Sequence, residues 1–236
     1  MKLPLTVACW DYDRTRALLD GAIQIEGCEA NYLPLPVEET FFRALRQQEF
    51  DVAELSMSSY TMQLARGDAH YVAIPVFLSR MFRHSAIYVR ADAGITHPAQ
   101  LKGRQVGVPE YQLTAPVWVR GLLQDEHGLA PEDIHWRTGG VEQAGRHEKV
   151  ELPATVRARV EPIGPDQTLN RWLLEGRIDA LVAPRAPSAF DAPGGQVVRL
   201  YQDLRGAEQD YFRRTGIFPI MHVVGVRRAL VERHPW

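Results

Sequence analysis

The sequence predicts an α/β fold, and three observations carry that prediction. Apolar runs of strand length (Leu3 to Cys9, Phe50 to Leu55, Val72 to Phe77, Ser85 to Arg90 and Gln105 to Pro109) alternate with segments of helical periodicity. Such alternation implies a parallel sheet with helical cover. The first run is apolar at both alternating positions, as a strand covered on both faces is. The third observation is an internal match. Glu39 to Leu55 (ETFFRALRQQEFDVAEL) lies without a gap on Gln167 to Ala183 (QTLNRWLLEGRIDALVA): Thr40 meets Thr168, Arg43 meets Arg171, Leu45 meets Leu173 and Asp51 meets Asp179, all at an offset of 128 residues. Any helix feeding a buried strand shows some such likeness. Alternatively the chain holds two similar lobes, with a ligand cleft between them outside the carboxyl ends of the strands.

Each element follows from local chemistry. After the strand Leu3 to Cys9, the polar and aromatic segment Trp10 to Arg14 marks a strand end. Phe41, Ala44, Leu45 and Gln48 recur at helical intervals and lead into the strand Phe50 to Leu55. Ser56 to Ser59 offers N-cap candidates for a helix through Tyr60, Met62, Leu64 and Ala65, closed by Gly67. Pro98 to Gly103 makes one helical turn before the strand Gln105 to Pro109. Thr114 is the expected cap of the next helix. Pro116 is tolerated in its first turn, Val117, Trp118, Gly121 and Leu122 share a face, and Gly128 ends it.

Composition excludes several classes. Of 236 residues, 45% are apolar and 24% charged, too apolar for a disordered chain, and two cysteines are too few for a disulfide framework. A net charge of −2 argues against nucleic acid as a partner. No apolar run reaches the ~18 residues of a membrane span. Met1 to Trp10 lacks a secretory leader, and Cys9 and Cys28 form no CxxC, so the expected compartment is the cytoplasm. There is no GxGxxG, P-loop, GxSxG or HExxH, and the eight histidines include no HxH pair. The expectation is therefore no metal and no cofactor.

What remains is a set of anion-binding groups at predicted element ends. Ser58 and Ser59 stand at one helix start and Thr114 at another, where unpaired N–H groups favour a carboxylate or phosphate. Arg14, Arg80, Arg83 and Arg185 fall in loops or at strand ends, where a guanidinium can grip a carboxylate bidentately. A small dianion is the ligand these suggest. Each residue also has a structural reading: serine as a helix cap, arginine as a solvated surface charge, His84 and His222 as satisfied interior histidines, Trp10 and Trp118 as core.

The segments ACWDYDRTRALLDG, EETFFRALRQQEFDVAELSMSSY, RHSAIYVRADAGI, LKGRQVGVPEYQLTAPVWVRGLL and TGIFPIMHVV span nearly the whole chain. Together they resemble the 4,5-dihydroxyphthalate decarboxylase family, whose fold is like that of type II periplasmic binding proteins. The resemblance implies two α/β lobes joined by two crossing strands, residues 1–90 with 200–236 and residues 91–199. It also implies cofactor-independent loss of one carboxyl group from a small aromatic dicarboxylate. In that reading Arg14, Arg80 and Arg185 grip carboxylates with Ser58, Ser59 and Thr114, Tyr111 and Trp10 pack on the ring, and His84, Glu110 and His222 are the candidates for proton transfer. A histidine titrates near neutrality, and a partly buried Glu110 is expected to be raised toward it. The segment Gly139 to Val150, with Glu142, Arg146, Glu148 and Lys149, could be a lid or a solvated loop, and its mixed charge favours the loop. Family members continue past His234-Pro235-Trp236 with helices on the first lobe, which implies a shortened form or one that covers the exposed face as a homo-oligomer. The rival readings are a solute-binding protein of the same fold that captures a small anion without chemistry, and an enzyme of that fold acting on another acid.

Overall fold

The strands expected from the sequence form, but in two separate sheets. In the computed structural model, which describes all 236 residues, residues 1–80 and 220–236 make one unit and residues 81–219 another. The chain runs through β1 (Leu3–Cys9), α1 (Arg16–Leu19), β2 (Cys28–Pro34), α2 (Val37–Phe42), β3 (Val52–Ser56), α3 (Met57–Arg66) and β4 (Tyr71–Arg80) in the first. The second holds β5 (Ile87–Arg90), β6 (Gln105–Val108), α4 (Thr114–His127), β7 (His135–Thr138), β8 (Arg159–Pro162), α5 (Leu169–Leu174), β9 (Ala180–Val182), α6 (Ser188–Asp191), β10 (Val197–Arg199) and α7 (Leu204–Thr215). The chain then returns to the first unit as β11 (Ile220–Arg227) and α8 (Arg228–Arg233). No helix is long and apolar enough to cross a membrane.

In the first unit the sheet order is β2-β1-β3-β11-β4, with β11 antiparallel to both neighbours and the first three strands parallel. The continuous apolar character of β1 has the expected cause. Ala8 packs on one side with Phe41, Leu45 and Leu55, while Leu5 and Val7 pack on the other with Cys28 and Val52. The helix expected from Thr40 to Gln48 starts earlier, at Val37, and finishes as a π-type turn over Arg43–Gln47. Ser56 takes the N-cap position of α3 without making a side-chain cap bond, and Gly67 closes that helix at φ 75°.

In the second unit the order is β10-β5-β9-β6-β7-β8, in which β9, β6, β7 and β8 are parallel and β5 is antiparallel to β9 and β10. This unit begins at Met81 rather than at residue 91 and ends at Pro219 rather than 199. The reason is pairing: Ile87–Arg90 lies between β9 and β10, and Tyr211 of α7 packs its ring against Phe82 and His84. Thr114 is the first residue of α4 and not its cap, which is Leu113. The helix buries Ala115, Pro116, Val119, Leu122 and Leu123, so Val117 lies outside the core face expected for it.

The internal match has a structural counterpart that favours two similar halves. The Asp51 carboxylate accepts the Thr6 N–H at 2.8 Å, and its own N–H donates to the Thr6 carbonyl at 3.0 Å. Asp179 does the same to Gln105, at 2.9 and 2.8 Å. The strand sets β2-β1-β3-β11 and β7-β6-β9-β5 thus repeat one pattern, in which each aspartate ties the start of one parallel strand to the next.

Candidate functional site

Each unit gathers polar side chains at the carboxyl ends of its parallel strands, where open α/β sheets bind ligands. In the first unit these come from the end of β1 (Trp10 to Arg14), from β3 and the start of α3 (Glu54, Ser56, Ser58, Ser59), and from β11 (His222). The register sets His222 opposite Ser56 on β3 and Ser79 on β4.

Glu54 is the centre of this group and was not singled out from the sequence. It sits in the buried run Ala53-Glu54-Leu55-Ser56 and is 1% exposed. Its Oε1 lies 2.6 Å from His222 Nδ1 and accepts the Tyr12 hydroxyl at 2.6 Å, and its Oε2 accepts the Trp10 N–H at 3.0 Å. Burial alone would raise the carboxyl. The bonds from His222, Tyr12 and Trp10 outweigh it and hold Glu54 below the usual carboxylate range. Burial and the Glu54 charge push the Tyr12 phenol upward, so Tyr12 stays a donor. The Phe41 ring stands edge-on to the His222 imidazole at 4.8 Å. Beside Glu54, between the sheet and α1, lies an apolar hollow of about 230 Å³ lined by Val7, Trp10, Leu18, Tyr32 and Val224 among others.

Ser59 is fully buried, with its hydroxyl 3.3 Å from that of Ser56, and Ser58 Oγ lies equally far from Ser56 Oγ. Arg14 is engaged within its own unit, with Nη1 3.4 Å from the Asp13 carboxylate. Its Nε donates to the Leu78 carbonyl at 2.7 Å, Nη2 donates to the same oxygen, and the guanidinium stacks 3.7 Å from the Tyr12 ring centroid. Arg80 is exposed at the end of β4, over Phe77 at 5.2 Å.

The second unit corrects several expectations. Glu110, just after β6, is 1% exposed and ion-paired. Oε1 takes the Lys149 ammonium and Arg146 Nη2 at 2.6 Å, while Oε2 accepts Gln112 Nε2 at 3.0 Å and the Lys149 N–H at 3.1 Å. Burial would raise this carboxyl as expected, but the charges of Lys149 and Arg146 dominate and lower it, so Glu110 is an ionised anchor and not a near-neutral acid. The segment it anchors is a loop, exposed over residues 142–145 and at His147 as expected from its mixed charge, but tied down at its far end. Lys149 is buried, and Glu148 accepts the N–H groups of Tyr111 and, at 3.3 Å, Gln112. Burial raises the Glu148 carboxyl.

Tyr111 is 6% exposed, with Arg120 over its face at 3.7 Å and Trp136 edge-on at 5.7 Å, so its ring belongs to the core. His84 is likewise interior. Tyr201 and Tyr211 surround it edge-on at 5.1 and 5.4 Å, its Nδ1 has no partner, and burial lowers its pKa. Burial also lowers Arg83, to about 10. Thr114 is buried at the start of α4, and Arg185 is exposed after β9. The structure therefore brings Trp10, Ser58, Ser59 and His222 to one strand-end cluster around Glu54, and places Glu110, Tyr111 and Thr114 along one stretch after β6.

Comparison with known proteins agrees with the fold and narrows the family. Residues 12–158 match the family described as ABC transporter, phosphonate, periplasmic substrate-binding protein. Among solved structures, the periplasmic aliphatic sulphonate binding protein SsuA from Escherichia coli is similar with a TM-score of 0.59 at 15% identity, covering 100% of this chain and 68% of that one. The alkanesulfonate-binding protein SsuA from Xanthomonas axonopodis pv. citri bound to MOPS gives a TM-score of 0.53 at 13% identity, covering 98% and 67%. These likenesses establish the fold. Two relatives are far closer in sequence. The 4,5-dihydroxyphthalate decarboxylase of Comamonas testosteroni is 48% identical over 237 residues, 100% of this chain and 71% of the relative. The protein of the same name from Pseudomonas putida is 46% identical over 212 residues, 90% of this chain and 82% of the relative. Identity at that level along the whole length is not shared by the binding proteins, and the chain belongs to the 4,5-dihydroxyphthalate decarboxylase family.

Proposed function

We propose that this protein removes one carboxyl group from 4,5-dihydroxyphthalate, giving 3,4-dihydroxybenzoate (protocatechuate) and carbon dioxide. The names of the two relatives supply the substrate. The observation that carries the chemistry is the His222 imidazole on the buried, ionised carboxylate of Glu54 in the middle of β3.

The reaction needs a proton at carbon and a route for electrons. When the hydroxyl para to the departing carboxylate gives up its proton, its electron pair moves into the ring and makes the carboxyl-bearing carbon basic. Protonation there forms a C–H bond at a tetrahedral carbon. The C–CO2 bond then breaks, its electrons restore aromaticity and leave a phenolate, and that oxygen is reprotonated. The balance is one proton taken from solvent for each carbon dioxide released. In this reading His222 carries the proton between hydroxyl and ring carbon, since an imidazole exchanges protons near neutral pH. Ser58, on the first turn of α3, receives the retained carboxylate, where its hydroxyl and the helix N-terminus favour an anion, while the fully buried Ser59 bonds to Ser56 behind it and does not reach the ligand.

The test is to incubate the purified protein with 4,5-dihydroxyphthalate and follow protocatechuate by chromatography. Product formation is expected, and His222→Asn is expected to lower kcat by about 10²- to 10⁴-fold while KM stays within a few fold. Saturable binding without product would instead make it a binding protein of this fold.

A further inference from the structure

We propose that Glu54 is a positioning residue for His222: it holds the imidazole as the Nδ1–H form, so that Nε2 is the atom that gives and takes the proton. The inference deepens the decarboxylase reading and rests on it for the meaning of the proton transfer, but its structural content stands apart.

A carboxylate 1% exposed in the middle of β3 is costly unless every lone pair it presents is satisfied. Its surroundings supply only donors. Trp10 gives a backbone N–H at 3.0 Å, and Tyr12 gives a hydroxyl at 2.6 Å that burial and the adjacent charge keep protonated. An ionised carboxylate accepts and does not donate, so the nitrogen 2.6 Å from its Oε1 must carry the hydrogen. That nitrogen is Nδ1, which leaves Nε2 with its lone pair in the neutral ring. The edge-on Phe41 packs against the ring at 4.8 Å, and the backbone pairing of His222 with Ser56 on one side and Ser79 on the other fixes where its side chain leaves the sheet.

The same arrangement supports catalysis. When Nε2 takes the hydroxyl proton of the substrate, the imidazolium that forms lies against a negative charge already in place, with no reorganisation needed. Nε2 then delivers that proton to the ring carbon, and Glu54 stays ionised throughout. Tyr12 and the Trp10 amide act one step further out, keeping the carboxylate charged and aimed at Nδ1.

The test reads the tautomer directly. In the wild-type protein labelled with ¹⁵N-histidine, the His222 resonances above neutral pH are expected to show a protonated Nδ1 and an unprotonated Nε2. Glu54→Gln keeps the shape but can either donate or accept at Nδ1. It is expected to give a mixture of tautomers and to lower kcat by about 10²- to 10⁴-fold with KM within about threefold, because the imidazolium that forms no longer lies against a negative charge and part of the population has its lone pair on the wrong nitrogen. Tyr12→Phe leaves the tautomer in place and lowers kcat less. A wild-type spectrum with the proton on Nε2, or with both forms populated, overturns the inference whether or not the variants fold. So does a folded Glu54→Gln protein with kcat within threefold of wild type. If the tautomer is as expected but no protocatechuate forms, the decarboxylase reading falls and the placement of His222 stands. If protocatechuate forms and the tautomer is wrong, this inference alone falls.

Discussion

Glu54 and Glu110 are equally buried, yet their neighbours differ in kind, and that difference separates their work. Glu54 is held by two hydrogen-bonding aromatics and an amide, partners that can leave a proton-transfer group beside it. Glu110 is held by two cations and anchors the segment carrying Arg146 and Lys149. Glu110→Ala removes the carboxylate that faces the buried Lys149 ammonium and Arg146, so a loss of about 3–5 kcal/mol is expected in urea denaturation; an unchanged midpoint would remove its anchoring role. Both carboxyls lie below their usual range when folded. The stability each adds is complete above the unfolded value of about 4.3 and disappears as pH falls through the lower folded one. His84 acts one pH range higher. Burial depresses its folded pKa, so the unfolded chain binds more protons and stability drops as pH falls below about 6.5 toward the folded value. Replacing it, as in His84→Phe, should flatten stability against pH over that window, and a profile parallel to wild type would refute the assignment. At this scale His222 was legible in the sequence because the residue type itself marks a candidate for proton transfer. Glu54 was not, because its partner lies 168 residues away and only the sheet brings them together.

At the level of elements, strands and helix ends were legible where the signal is local. β1 forms over Leu3–Cys9 as expected, and Gly128 ends α4 at φ 63° because glycine takes the left-handed conformation without a Cβ penalty. The buried face of α4 was misplaced. Gly121 has no side chain to bury and cannot define a face, whereas Ala115, Val119, Leu122 and Leu123 recur at the spacing of one helical stripe. β2 escaped notice because Cys28–Pro34 is polar at several positions, and its pairing with β1 comes from the fold. Gly107 shows how tightly the second sheet packs against α5. A Cβ there would lie 2.7 Å from Ile178 Cδ1 and 3.0 Å from Leu169 Cδ2. Overpacking of this kind predicts that Gly107→Ala costs about 1–3 kcal/mol, seen as a lower denaturation midpoint, whereas wild-type stability would mean the core has slack.

For the whole molecule, the chain crosses between units twice, at Arg80 to Met81 and at Pro219 to Ile220. The second unit is therefore one continuous segment with its own sheet and core, and its ends are tied by the Met81 N–H donating to the Pro219 carbonyl at 3.0 Å. Residues 81–219 expressed alone are expected to melt in a single cooperative transition by circular dichroism; a featureless melt would show that this unit needs the other to fold. The first unit has no such independence, because β11 enters between β3 and β4 from the far end of the chain. By itself the sequence determined the α/β class, the main strands and the repeated helix-strand unit, since hydrophobic periodicity and turn chemistry act over a few residues. The tertiary structure alone decided which ionisable groups meet. Whether a buried carboxylate finds an imidazole, as Glu54 does, or an ammonium, as Glu110 does, depends on strand order, and short-range pattern contains no information about that.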